Sequence, residues 1–179
     1  REAEDDADGR RRTVSAALAL GLLLAIPAAT ALAVLAEPIV AVLFERGKFG
    51  PVDRARTAAA LSAFAIGLPG AVVAKVLSQV YFARQNPGKP LIVGLVSIAM
   101  AIGAGLMFSA SQPAAGAALA ASLAFWTQSL ALAALLWRDG LWRPDTSLLR
   151  TVAIGVASAA IMAAAVMTLG MDLHDELVG

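Results

Sequence analysis

The sequence predicts an all-α, polytopic transmembrane helical bundle of five spans, and three observations carry that prediction. Of 179 residues, 59% are hydrophobic and 15% charged, with a mean hydropathy of +0.76. Soluble domains run about 45–50% apolar and about 25% charged. The charges are also segregated: none falls in the 24 residues from Thr13 to Ala36, or in the 48 residues from Pro90 to Trp137. About 20 uncharged, mostly apolar residues cross the ~30 Å hydrocarbon core as a helix. A soluble bundle of this size has too few charges to cover so much apolar surface.

Residues 1–12, REAEDDADGRRR, form a polar lead of mixed charge, expected as a solvated loop. The chain starts with Arg1, and these residues lack the apolar core of a signal peptide, as expected for a piece of a longer protein. The first span covers about 13–44, with Pro27 expected to kink its middle by removing one backbone bond. Glu37-Pro38 marks an interface, and Gly47 is placed to follow the helix end. Gly50-Pro51 restarts a helix with Asp53 in its first turn. This second span, about 54–84, should bend at Gly67, Pro69 and Gly70. Asn86-Pro87-Gly88 fits a type II turn. The remaining spans are expected at about 90–109, 114–137 and 147–170, with Ser109 to Pro113 a short turn and residues 171–179 an acidic tail.

Five spans put the two ends on opposite sides. Arg1, Arg10, Arg11, Arg12, Arg84, Lys89, Arg138, Arg143 and Arg150 gather on the N-terminal side, against Arg46, Lys48, Arg54 and Arg56 on the other. The positive-inside rule then makes the N-terminal end cytoplasmic and the residue 171–179 tail periplasmic. Trp137 and Trp142 flank the fourth loop, where an aromatic belt would lie. Gly155, Ala159 and Ala163, like Gly116 and Ala120, have the small-residue spacing that lets helices approach closely in lipid.

No catalytic constellation is present, so the chain is not expected to be an enzyme, and no cofactor is expected. A Walker-type phosphate loop is absent. No serine, histidine and carboxylate combination lies in the spans. The sole histidine, His174, sits with Asp172, Asp175 and Glu176 in the acidic tail, which reads as solvated rather than as a metal site. There are no cysteines, and no basic stripe suggests nucleic acid. Lys75 is the one ionisable residue deep in a span. A lysine at a helix centre costs about 2.5–3.5 kcal/mol on insertion scales. It either faces a hydrated cavity and an anionic headgroup, or it packs between helices or snorkels. Ser78, Gln79, Thr127, Gln128 and Ser129 are the other polar in-span residues, expected as interhelical hydrogen-bonders.

The succession Leu43-Phe44-Glu45-Arg46-Gly47-Lys48-Phe49, Gly67-Leu68-Pro69, Lys75-Val76-Leu77-Ser78 and Tyr81-Phe82-Ala83-Arg84 resembles the MurJ (MviN) lipid II flippases of the multidrug/oligosaccharidyl-lipid/polysaccharide exporter superfamily. The match is strongest over about residues 20–90 and continues more weakly through Ala114 to Ser122. The resemblance implies a fragment of a fourteen-helix transporter, helices nine to thirteen, in the bacterial inner membrane. It implies alternating-access translocation of the undecaprenyl-pyrophosphate-linked peptidoglycan precursor. Membrane lipids, that anionic precursor and the transporter's remaining helices are then the partners, and Lys75 and Arg84 the candidate substrate-binding residues. Departures from the family pattern are Ala19, where relatives carry a charge, Gln79, where proline is common, and a third span without asparagines. The family's cavity arginines lie mostly in helices this chain does not contain. A related drug or polysaccharide-lipid exporter, or a non-transporting membrane scaffold, is the alternative function.

Overall fold

The computed structural model describes residues 2–108, 113–143 and 145–178, with side chains for 9–108, 113–143 and 145–168. Its helices are α1 (Glu2–Val34), α2 (Ala36–Phe44), α3 (Pro51–Ala65), α4 (Leu68–Ala83), α5 (Gly88–Phe108), α6 (Pro113–Arg138) and α7 (Thr146–Val178). Five stretches are long and apolar enough to cross a membrane: Gly9–Val34, Pro51–Ala83, Gly88–Phe108, Pro113–Arg138 and Thr146–Thr168. The helices pack in a row: α7 lies on α1, α1 on α3 and α4, these two on α6, and α6 on α5. Successive helices α4 and α5 barely touch.

The polar lead expected as a loop is instead the first turns of α1. Nothing in residues 2–12 breaks a helix, since Gly9 alone costs only about 1 kcal/mol. Helix α1 also runs unbroken through Pro27. The first span breaks at Leu35, between α1 and α2. Pro38 has no N–H for the Val34 carbonyl four residues back, and α1 ends at Val34. In the second span the expected interruption is present, at Ile66 and Gly67.

The ends of α4 and α6 repeat one device. Asn86 N–H reaches the Tyr81 carbonyl at 3.0 Å and Gln85 N–H the Phe82 carbonyl at 2.9 Å, with Gln85 at φ +54°. Leu141 and Gly140 repeat the pair onto Leu136 and Trp137, with Gly140 at φ +68°. Both are Schellman caps. The type II turn expected at Asn86-Pro87-Gly88 is therefore absent: Gln85 takes the left-handed position, and Gly88 already belongs to α5. Gly47 does adopt the left-handed conformation, φ +63°, in the turn that follows α2. At the start of α3, Gly50 N–H donates to the Asp53 carboxylate at 3.3 Å.

The larger buried cluster lies toward the Arg10 end: Val14, Leu18 and Leu22 of α1, Leu77, Val80 and Tyr81 of α4, Leu132 and Leu136 of α6, with Trp142 and Leu148. Trp142 is only 5% exposed and donates its indole N–H to Ser15 Oγ at 3.1 Å, whereas Trp137 is 59% exposed. The belt expected of both tryptophans therefore holds at most for Trp137, because Trp142 seals the loop onto α1. A smaller cluster of Ala36, Val40 and Ala58 joins α2 to α3 at the opposite end. There Arg54 bridges Glu45 at 2.9 Å and Glu37 at 3.4 Å. The small residues pack as their spacing predicts: Gly155 and Ala159 are buried, and a Cβ on Gly155 would lie 3.4 Å from Ile26.

Residues 109–112, expected as a turn, lie outside the described residues. So do the side chains around His174. The backbone of α7 stays helical to Val178, through most of the expected tail.

Candidate functional site: the groove between α4 and α5

Helices α4 and α5 diverge because both pack on α6 rather than on each other. Between them runs a groove of about 640 Å³. Lys75, Ser78, Gln79 and Phe82 line it from α4, Gly94, Leu95 and Ile98 from α5, and Gln128 from α6. Pro87 and Gly88 close its foot, where the connector joins the two helices.

The register across the groove follows from two glycines. A Cβ on Gly67 would lie 2.7 Å from Ser122 Cα, and one on Gly70 would lie 3.2 Å from the Phe125 carbonyl carbon. So α4 and α6 run in the same direction with a fixed offset, and Gln128 comes level with Val73. Lys75 is two residues further on, about 3 Å of helical rise. Helix α5 runs the other way and sets Gly94 opposite Gln128, its would-be Cβ 3.7 Å from Gln128 Nε2.

Lys75 is exposed to this groove and has no ion-pair partner among the described residues. Arg84 is elsewhere. It is the exposed C-cap of α4, outside the groove lining. Nine residues separate the two, about two and a half turns, which puts them on opposite faces of one helix.

Among the described residues, none of the polar side chains expected to bond between helices does so. Ser78 donates to Ala74 O, Thr127 to Leu123 O and Ser129 to Trp126 O, each within its own helix. Gln79 and Gln128 make no hydrogen bond among the described residues and face the groove. Other side chains make the interhelical bonds. Ser62 donates to Ala33 O at 3.1 Å, in the last turn of α1. Ser122 donates to Ala63 O at 2.7 Å, and Trp126 Nε1 to Ile66 O at 3.0 Å, both at the α3–α4 break. In lipid a carbonyl released by a broken helix must find a donor nearby. The signal was available in the sequence: Gly67 and Pro69 imply freed carbonyls. Which helix supplies the donors is a tertiary fact.

At the foot of the groove, buried Tyr81 donates its hydroxyl to Asp139 Oδ2 at 2.9 Å. Lys89 Nζ reaches the same oxygen at 2.5 Å and sits 5.6 Å from the centre of the Tyr81 ring. The Lys89 ammonium, then the Tyr81 hydroxyl, hold the Asp139 carboxyl below its ordinary range. Asp145 is likewise lowered, first by the Ser147 hydroxyl and then by Thr146, at the start of α7. Among the described residues no group of histidine, cysteine or carboxylate side chains could hold a metal.

Comparison with known proteins places this architecture. The family described as "Lipid II flippase MurJ" matches residues 1–176. The "Probable lipid II flippase MurJ" of Rhizobium meliloti (strain 1021) is 41% identical over 145 residues, 80% of this chain and 27% of that protein. The "Lipid II flippase MurJ" of Burkholderia cenocepacia is 31% identical over 166 residues, 90% of this chain and 32% of that protein. A solved "Lipid II flippase MurJ, inward closed conformation" superposes with a TM-score of 0.79 at 24% identity, over 92% of this chain and 34% of that one. At that identity the likeness speaks for the fold. The chain thus spans about a third or less of the length of these relatives. Five membrane-crossing stretches, the α3–α4 break and a match over nearly every residue agree: the chain is a multi-pass membrane protein and belongs to the lipid II flippase family, whose members are transporters rather than enzymes.

Proposed function

We propose that this chain is part of a lipid II flippase, which moves the undecaprenyl-pyrophosphate-linked peptidoglycan precursor across the bacterial inner membrane by alternating access. Its partners are that anionic precursor, membrane lipids and the remaining helices of the transporter. The N-terminal end faces the cytoplasm and the C-terminal end the periplasm, the orientation favoured by the cation count on the two sides. Lys75 contacts the anionic headgroup on its path.

The observation that carries the site is the ammonium of Lys75, without an ion-pair partner among the described residues, on the wall of a groove of about 640 Å³ within the span. A cation held in a membrane interior without a carboxylate marks an anion path more readily than a structural tie. Transport of a pyrophosphate lipid needs a hydrated, cationic surface that opens to each side in turn. Arg84 serves at headgroup level on the cytoplasmic side rather than in the groove.

The test is Lys75→Ala and Lys75→Arg in the full-length transporter, scored by growth of a strain depleted of its own flippase. The expected result is loss with alanine and retention with arginine. Full growth with alanine, at normal protein level, removes Lys75 from the mechanism.

A further inference from the structure

Helices α2 and α3 form a hairpin that lies between two breaks, one at Leu35 and one at Ile66 and Gly67. The hairpin has its own small core, Ala36, Val40 and Ala58, and its own ion pairs, from Arg54 to Glu45 and to Glu37. At the first break Ser62 of α3 donates to Ala33 O. At the second break the carbonyls outnumber their donors. Gly67 N–H goes to Phe64 O and Trp126 Nε1 to Ile66 O, while Ser122 Oγ stands 2.7 Å from Ala63 O and 3.4 Å from Phe64 O. Ala65 O has no donor among the described residues, because Pro69, four residues on, lacks an N–H. A regular helix gives each carbonyl one fixed partner. Here a single hydroxyl reaches two carbonyls. Beside the break, on its α1 side, is a cavity of about 200 Å³ lined by Ala29, Thr30 and Ala33 of α1 and by Ala65, Ile66 and Pro69.

We propose that α2 and α3 turn as one body about a hinge line running from the Ala33–Ser62 contact to the Gly67–Ser122 contact. A hairpin can turn only if both of its connections are interrupted, and both are. The α6 side is the fulcrum. A Cβ on Gly67 would lie 2.7 Å from Ser122 Cα, so the two backbones touch and cannot slide past each other. The α1 side has the room, since the last turn of α3 borders the cavity at Ala65 and can close on it. The Ser122 hydroxyl follows by passing from Ala63 O to Phe64 O, and the bond to α6 survives the change of angle. Below the break α4 keeps its seat on α6 through Gly70. Packed elements exchange between discrete arrangements rather than bending smoothly. The angle between α3 and α4 therefore takes two values, one of them the arrangement described above. The hinge goes beyond the proposed function, because it depends neither on a ligand nor on what the groove carries.

The chain contains no cysteine, so spin labels can be placed in it once cysteines elsewhere in the full-length transporter are replaced. Lys48→Cys with Met107→Cys measures the tip of the hairpin against the end of α5. Met107→Cys with Met167→Cys measures α5 against α7, both outside the hairpin. All three side chains are exposed. Pulsed electron paramagnetic resonance in lipid nanodiscs should show two distances for the first pair, the minor one at about a tenth of the total. The second pair should show one. Ala33→Leu and Ala29→Leu, which each fill the cavity, should leave the first pair with a single distance. Thr30→Val, which conserves volume, should leave it with two. A single Lys48–Met107 distance in the parent protein refutes the hinge, as do two distances that both filling variants leave unchanged. Two distances for the Met107–Met167 pair as well would assign the motion to the whole bundle and refute it equally.

Discussion

The indole N–H of Trp126 on α6 donates to the carbonyl of Ile66, 3.0 Å away, at the point where α3 gives way to α4. One turn earlier on α6, Ser122 holds the Ala63 carbonyl at 2.7 Å. That carbonyl is free because Gly67 N–H turns to Phe64 O instead. The second span is therefore two half-helices, joined at a break whose backbone groups α6 completes. The break lies eight residues from Lys75, so the angle between the halves also sets how α4 presents the groove.

Ser122→Ala should destabilise the protein by about 0.6 kcal/mol, and by no more than about 1.7, the range for interhelical bonds in membranes. Trp126→Phe should act similarly, and the pair should be less than additive because both close one break. Thermal or denaturant unfolding in detergent measures each. A double-variant effect equal to the sum would mean the two bonds act independently.

Gly67→Ala should cost more, about 1–3 kcal/mol, as overpacking does. The added carbon would lie 2.6 Å from Ser122 Oγ and 2.7 Å from Ser122 Cα, and the second of these is backbone. Gly21→Ala is the control: its carbon meets only Val72 Cγ1, at 2.8 Å, which can turn aside. Equal melting temperatures for the two variants would show that α4 and α6 can separate freely here.

Asp139 should make a pH-dependent contribution. Its carboxyl is held low in the folded state by Lys89 and then by Tyr81. A depressed carboxyl stabilises at every pH above its unfolded value, near pH 4. That contribution is lost as pH falls through the lower folded value. Asp139→Asn should therefore lower the melting temperature by a constant amount between about pH 5 and 8, and the gap should close in stronger acid. A gap that widens on acidification would contradict the Lys89 pairing.

Orientation can be tested with single cysteines. With the N-terminal end cytoplasmic, an impermeant maleimide should label Lys48→Cys in intact cells. It should reach Arg143→Cys only after the membrane is opened. The reverse pattern would invert the proposed topology.

Individual residues mark the limit of what was legible. Gly67 and Pro69 announce an interrupted helix from composition alone, because one tightens the turn and the other lacks a donor. Pro27 and Pro38 have the same local chemistry, yet α1 passes through the first and stops before the second. Gly88 reads as a turn glycine beside Pro87, but Gln85 takes the left-handed position, where two bonds back to α4 fix it. Trp142 reads as an interfacial residue, but it is buried because the loop after α6 folds back onto Ser15.

By itself the sequence determined the solvent of this protein, the number of its crossings, the interruption of the second and the isolation of Lys75. Each follows from how many consecutive residues avoid charge and which backbone donors are missing, both properties of a single segment. Tertiary structure alone decided that Gln128 shares a groove with Lys75 while Arg84 does not, and that α6 supplies the donors for the α3–α4 break. Those outcomes depend on register between helices, which close backbone approach at Gly67 and Gly70 sets and no single segment encodes.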